Sequence, residues 1–454
     1  MKDTSATVDK AVPSPKASRF RWVILTLVFL LYTIANADRA NLGVALPFIR
    51  KEFPLTNTEA GMLISLFFAF YAIMQIPVSF LYKKVGARTL MSASMLFTSV
   101  ATWCIGTSSS ILHVKIFRAL LGVSEAPLPI GCSTIIDRWF PPKEKGTATG
   151  IYWAASKFGP VICPPICVLI IQLTGGWREI FFFFAAPGII FSILWFFLVR
   201  NYPEESPLIS KEELAYIQNK KAPDAKVIAA AASTISYYPA WLDKIIRIKK
   251  LAPLDTTRKV FTSWNIMANA FSLLCMVGIV NVIMAWIPTY LLNEKHFTTV
   301  KMGSVSTAPF IGAVLGNMVG GWLSDRVFKM RRKPLMMVSA LSTSIMMYSL
   351  IYAPNNPLYL AIMLFLAGFM LSLGYSAFTV YPMGLASKET FPVAISVVNT
   401  GGSLGSTIFP TLAGMILDSY SWNNVSMFLA ACSILCLIVI STMDEPLPEG
   451  ETIS

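Results

Sequence analysis

Apolar residues in this chain come in blocks of 20 to 30, interrupted by short charged segments, with little of the strict alternation expected of half-buried strands. Each block is long enough to cross about 30 Å of hydrocarbon at a helical rise of 1.5 Å per residue. The first six are expected from Trp22 to Ile49, Glu59 to Tyr82, Arg88 to Gly106, Ile111 to Ile136, Gly146 to Leu173 and Ile180 to Val199. Between Arg200 and Lys259 the apolar pattern stops and charge takes over. Six more blocks follow, over 261–292, 303–324, 334–353, 357–384, 392–418 and 422–442. The pattern predicts an all-α membrane protein of twelve transmembrane helices in two six-helix halves. Its parts are a disordered tail (1–19), a first bundle (20–199), a central loop (200–259), a second bundle (260–442) and an acidic tail (443–454). No small-residue cleavage site follows the first block, so it reads as a retained helix.

Composition agrees with the block pattern. Hydrophobic residues make up 55% of the 454 and charged residues only 13%, about half the soluble average. Mean hydropathy is +0.61. The net charge of +13 would suit nucleic acid, but the Lys and Arg sit between apolar blocks and no base-reading module accompanies them. They favour alternate loops, with Lys83, Lys84 and Arg88 in one, Arg138, Lys143 and Lys145 in the next of that set, then the central loop, then Lys329 to Lys333. By the positive-inside rule those loops and both termini are expected to be cytoplasmic. The seven cysteines all lie in apolar blocks and read as small apolar residues. The two histidines, His113 and His296, fall near loops. No metal site, cofactor loop or nucleophile–base pair is indicated, which points away from an enzyme.

Charges inside the blocks carry the chemistry. Arg118 and Glu125 lie seven residues apart, two turns or roughly 10.5 Å, on one helical face. Asp38 and Arg39 interrupt the first block. Ionisable groups at membrane depth cost a few kcal/mol each and usually face a bundle interior or a watery cavity. The four sum to zero charge when ionised. Protonating either carboxylate makes the group positive and favours an anion, and the anion in turn favours the proton. The bland alternative is a pair of structural ion pairs, Asp38–Arg39 and Arg118–Glu125. Lys157 stands about eleven residues, roughly 16 Å, into the fifth block. It is suited either to a second acidic group on a dianionic substrate or to pairing with Glu125 or Asp38. Spans seven, ten and eleven carry only neutral polar residues in their middles: Asn281, Tyr375, Ser376, Tyr381 and Asn399.

The halves carry an internal repeat. Ala45-Leu46-Pro47, Phe53 and Gly61 are echoed by Ala285-Trp286-Ile287-Pro288, Phe297 and Gly303. Four further stretches stand out: Asp38-Arg39-Ala40-Asn41; Gln75-Ile76-Pro77; Arg118 to Glu125-Ala126-Pro127 with Asp137-Arg138-Trp139-Phe140-Pro141-Pro142; and Gly320-Gly321-Trp322-Leu323-Ser324-Asp325-Arg326. In these motifs the chain resembles the major facilitator superfamily, and within it the anion:cation symporters, whose members sit in a plasma membrane such as a bacterial inner membrane. The resemblance implies proton-linked carboxylates at Asp38 and Glu125, with Arg118 as the cation beside them. It implies a substrate cavity at or beside Arg39, Tyr71, Ser156, Ser376 and Asn399, and a gate loop at Asp325 and Arg326. The first-half gate motif departs from pattern, with Lys83 where an acid is usual. The expected function is proton-coupled import of a small organic anion, a sugar acid or dicarboxylate, by a monomer in the lipid bilayer. An anion exchanger or efflux pump of the same fold, and a non-transporting anion sensor, are the alternatives. Gly159-Pro160 lacks the Gly-rich continuation expected of antiporters, which counts against efflux.

Overall fold

The computed structural model describes residues 19–218, 246–249, 251–328, 331–387 and 389–446. Twelve long helical spans fill them: α1 Phe20–Glu52, α2 Asn57–Val85, α3 Ala87–Gly106, α4 Ile111–Trp139, α5 Pro142–Thr174, α6 Arg178–Leu198, α7 Trp264–Asn293, α8 Thr299–Trp322, α9 Lys333–Tyr352, α10 Pro357–Gly384, α11 Phe391–Ser419 and α12 Trp422–Thr442. Eleven are long and apolar enough to cross a bilayer. The exception is α11, diluted by Asn399-Thr400-Gly401-Gly402-Ser403 in its middle. The chain is an integral, multi-pass membrane protein.

Local signals set the ends. Thr56 and Glu59 form a reciprocal capping box that satisfies the first free N–H groups of α2. Thr298 caps α8, and Gly175, at φ +79°, closes α5 in a left-handed turn that L side chains avoid. Lipid offers helices no hydrophobic reason to associate, so close backbone approach and interhelical hydrogen bonds hold each half together. On α8, Gly312, Gly316 and Gly320 recur every four residues, and the backbone of α10 lies where their Cβ atoms would be. Ser92 of α3 and Ser192 of α6 each donate to the other's carbonyl, at 2.9 and 2.8 Å.

The halves are pinned together at the end that carries the α1–α2 and α11–α12 connections. Gly61 of α2 faces the carbonyl of Pro410 in α11, and Gly303 of α8 faces Val168 of α5. These two glycines hold the same place in the sequence repeat, and each admits a helix of the opposite half. Ser65 and Thr411 share a hydrogen bond of 2.7 Å. The Asp418 carboxylate crosses from α11 to cap α2, accepting the N–H groups of Asn57 (2.7 Å) and Thr58 (2.8 Å) and the Thr58 hydroxyl.

The opposite end is tied within each half. A short helix, Lys211–Gln218, brings Glu213 to the start of α1. There the buried carboxylate accepts the N–H groups of Phe20 and Arg21 and pairs with the Arg21 guanidinium at 2.9 Å. The expected acidic tail begins as folded chain. Strand β1 (Ile248–Lys249) pairs in parallel with β2 (Glu445–Pro446). Glu445, fully enclosed, accepts the N–H groups of Arg332 and Lys333 at the head of α9. The equally buried Lys333 donates to the carbonyls of Ile246, Ser441 and Met443.

Burial pushes the Glu445 carboxyl up from 4.5 to about 7, against the opposing pull of the two N–H donors. Between those values the folded chain holds a proton there that the unfolded chain has released. Stability from this group is therefore full below pH 4.5, falls as pH rises to about 7 and is flat above. Melting temperatures of the wild type minus those of Glu445→Gln should decline across that window; a pH-independent difference contradicts the assignment. At the pinned end, Asp418→Ala should lengthen and broaden the distance between spin labels at the exposed Met62 and Met415. An unchanged distribution would show that Asp418 does not hold the halves.

Candidate functional site

Two spans are interrupted, and they occupy equivalent places in the two halves. The fourth breaks at Ala126, between Ile111–Glu125 and Pro127–Trp139. Pro127 and Pro129 lack the N–H groups that the preceding turn would accept. The tenth breaks at Gly374, between Pro357–Leu373 and Tyr375–Val380. At Ala126 and Gly374 the backbone stays in the right-handed helical region and only the hydrogen-bond ladder lapses; such discontinuities at matching positions are a physical pointer to a transporter's binding site. Glu125 borders one break; Tyr375 and Ser376 border the other.

Around the first break stand four charges. Arg39 Nε donates to Glu125 Oε2 at 2.7 Å, with the carboxylate fully buried and the guanidinium nearly so. Asp38, also fully buried, accepts from Asn41 through Oδ1 at 3.2 Å and lies in the fields of Glu125 and Arg118. Arg118, buried, donates to the Leu63 carbonyl at 3.3 Å. Phe67 is the platform beneath both guanidinium groups, with Arg39 Cζ 5.4 Å and Arg118 Cζ 5.0 Å from its ring centre. Such contacts strengthen when water is excluded. Tyr71, one turn on, lies 4.9 Å from Arg39 Cζ and stacks on Phe67. Arg39 Nη2, Arg118 Nη1 and Glu125 Oε1 are buried without a hydrogen-bond partner. Two spare guanidinium donors in one low-dielectric site can take a carboxylate.

Of the two structural ion pairs weighed as the bland alternative, Arg118–Glu125 is not formed: Glu125 pairs with Arg39 instead. Helical side chains lean toward the N-terminus, so Arg118 reaches back to Leu63 and Phe67, away from a carboxylate two turns further on. Asp38 and Arg39, 100° apart, part company: Asp38 turns to Asn41, and Arg39 reaches α4. The alternative pair Asp38–Arg39 is not formed either. Phe67 was not legible as a site residue; its only sequence signal is its place one turn before Tyr71.

Other expected residues are spread over both halves. Ser156 donates to the carbonyl of Trp153 in its own helix. Lys157 Nζ lies 5.2 Å from the ring centre of Tyr375, across the divide between halves. Ser376 Oγ is buried and unpartnered, and Asn399 is exposed on α11. Asn281 and Tyr381, two of the neutral polar residues in the second half, serve packing: Asn281 donates to Ser406 at 3.0 Å, and Tyr381 donates to the Asp444 carbonyl. The gate motif falls on a π-helical turn, Leu323–Val327, that ends α8. The side chains of Asp325, Arg326 and Lys83 lie outside the described residues. Next to them, Ser324 accepts a hydrogen bond from Arg332.

The sequence profile of the major facilitator superfamily matches residues 28–305 and 270–453. The chain belongs to that superfamily and is a transporter, not an enzyme. It is 27% identical over 442 residues to the D-galactonate transporter of Escherichia coli O6:H1, covering 94% of this chain and 96% of that one. A protein of Escherichia coli K12 named "probable galactarate/D-glucarate transporter" is 27% identical, covering 95% and 96% of the two chains. A "probable sulfoacetate transporter" of Cupriavidus necator is also 27% identical, covering 88% and 87%. Among solved structures, a bacterial homologue of the human lysosomal transporter Spinster, inward-facing and occupied, superposes with a TM-score of 0.72. It is 16% identical and the match covers 93% and 95% of the chains, which establishes the fold.

A buried ion pair that loses one member leaves an uncompensated charge, at a cost of about 3–5 kcal/mol. Arg39→Met should therefore lower Tm sharply, and adding Glu125→Gln should restore part of the loss. Additive losses in that cycle would mean that the two residues do not act as a pair.

Proposed function

We propose that this protein is a proton-coupled importer of a small organic anion, of the sugar-acid or dicarboxylate type, working by alternating access. The single observation that carries the reading is the Arg39–Glu125 ion pair beside the discontinuity in the fourth span, with Asp38 and Arg118 next to it. The relatives named for galactonate, galactarate, glucarate and sulfoacetate support the substrate class, since all of these are organic anions.

The chemistry is an exchange of partners. An incoming carboxylate takes the Arg39 guanidinium, whose Nη2 is the spare donor. Glu125 then loses its counter-charge in a low-dielectric setting and holds a proton instead. Asp38, in the same field, is the second proton site. With anion and proton both bound, the cluster carries no bare charge, which favours movement of the halves across the membrane midplane. On the cytoplasmic side, loss of the proton re-forms the Arg39–Glu125 pair and expels the anion. Each ligand raises the affinity for the other by the same factor, as linkage requires. Protons are needed energetically as well. Carrying one negative charge into a negative-inside cell costs about 2.3 kcal/mol per 100 mV, and one proton cancels that cost.

In this reading both termini and the basic loops are cytoplasmic, the membrane is a bacterial plasma membrane and the unit is a monomer. The pinned end is then external.

The test is uptake into proteoliposomes with and without an inward proton gradient. Wild type should accumulate its anion only with the gradient. Asp38→Asn and Glu125→Gln should abolish accumulation, and at least one should retain anion counterflow. Uptake that ignores the gradient but is accelerated by anion inside would replace symport with exchange.

A further inference from the structure

Lys157 is a cation that the proposed coupling cycle does not use. It stands fifteen residues beyond Pro142, the start of α5, or roughly 22 Å at helical rise. A lysine stem cannot snorkel that far to water. Among the described residues it forms no ion pair: Glu125 is engaged by Arg39, and Asp38 turns to Asn41. The internal pairing with Glu125 or Asp38 that the sequence left open is therefore absent. Counting Lys157, three cations (Arg39, Arg118, Lys157) face two carboxylates (Asp38, Glu125), so the fully ionised cluster carries one excess positive charge. An anion with one carboxylate can answer Arg39, and Lys157 still wants a partner.

The position of Lys157 says which part of a substrate it meets. Helices α1 and α5 cross where Gly159 abuts the backbone of Thr33 to Ala37, and Cys163 donates to the Ala37 carbonyl. Carried along that parallel crossing, Lys157 lies level with about residue 33. That is six residues, roughly 9 Å, from Arg39 along the axis, toward the end that carries the termini. A single carboxylate does not span that offset. A short diacid does: five carbon–carbon bonds reach roughly 6 Å between terminal carbons, and the two long side chains close the remainder. The Lys157 ammonium also faces the opposite half, 5.2 Å from the Tyr375 ring. The next residue in the chain, Ser376, carries a buried hydroxyl with no hydrogen-bond partner.

We propose that Lys157, with Tyr375 and Ser376, forms a second anion subsite that receives the distal acidic group of the substrate and makes a short organic dianion the preferred cargo. This rests on Arg39 holding the first carboxylate, as in the proposed function. The dianion then bridges α1 of one half to the α5–α10 contact between halves.

Galactarate and galactonate test it, because they share a carbon chain and hydroxyl pattern and differ at one end, carboxylate against hydroxymethyl. Glucarate and gluconate, which differ in the same way at one end of a six-carbon chain, form a second matched pair. Binding is measured by calorimetry on the full-length protein in lipid nanodiscs at fixed pH. Wild type should bind the dianion of at least one pair about tenfold or more tightly than its partner, the worth of a charge-assisted hydrogen bond. Lys157→Met should remove that preference by weakening the dianion alone, and Lys157→Arg should keep it. Thermal melts of each variant show that it is folded. Equal weakening of both members, an unchanged ratio in Lys157→Met, or wild type that binds neither dianion each overturns the proposal. Failure of the coupling reading looks different: gradient-insensitive uptake in wild type, whatever the dianion-to-monoanion ratio.

Discussion

The site depends on the price of an unpaired charge in the middle of a membrane. Glu125 is sealed from water, and one guanidinium, that of Arg39, meets one of its two oxygens at 2.7 Å. Much of the surrounding geometry serves that contact. The proline break after Ala126 ends the helical segment at Glu125. Close approach of α4 to α2 at Gly122 brings Phe67 and Tyr71 to the same level, where they flank the guanidinium. Arg118 lies against the other part of the Phe67 ring and places a second positive field beside Asp38. Such a pair is a poor source of net stability. In the proposed cycle its use is that either member trades its partner for an equivalent one, a proton or a carboxylate, without leaving a bare charge.

The two halves share a plan and divide the work. Both have an interrupted span at the same place, and both have a glycine near the start of their second span where the other half packs in. Charge is concentrated in the first half. The second contributes an aromatic ring and small hydroxyls at its break, and its other polar side chains are spent on packing, as with Asn281 on Ser406. A cation on α5 against a ring on α10 is where the two contributions meet. That asymmetry puts the ionisable groups in one half and neutral polar and aromatic groups in the other.

Much of this was legible in the sequence. Block lengths alone give twelve spans, and Asp38, Arg39, Arg118 and Glu125 stand out because their types are so costly where they sit. Partner choice was not legible. Spacing put Arg118 and Glu125 on one face, yet the lean of helical side chains and the approach of α1 gave Glu125 to Arg39. Neither was the platform: a phenylalanine in an apolar block carries no mark until two guanidinium groups are seen on its ring. The burial of Glu445 escaped for a related reason. In a short acidic terminal stretch it looked solvated, and only the fold brings it to the exposed N–H groups of α9. The polar middle of α11 lowered its apolar signal without preventing a 29-residue helix, since its glycines pack against Ala270 and Leu274 of α7.

How the polar contacts are distributed bears on movement. Within each half the strongest are buried: three carbonyls around Lys333, two N–H groups on Glu445, and the reciprocal serines of α3 and α6. None of these has to break if the halves move as bodies. The hydrogen bonds seen to join the halves are Ser65 with Thr411 and Asp418 with the head of α2, and the latter lie at the exposed rim. Water can replace them when they part, so each is worth only about 0.5–3 kcal/mol. Two conformations can exchange usefully only when they differ by a few kcal/mol. An interface of a few exposed bonds and close-packed glycines meets that condition, whereas one sealed by buried ion pairs would not. The costly buried pair is accordingly kept inside one half, between α1 and α4, where a change of conformation need not break it.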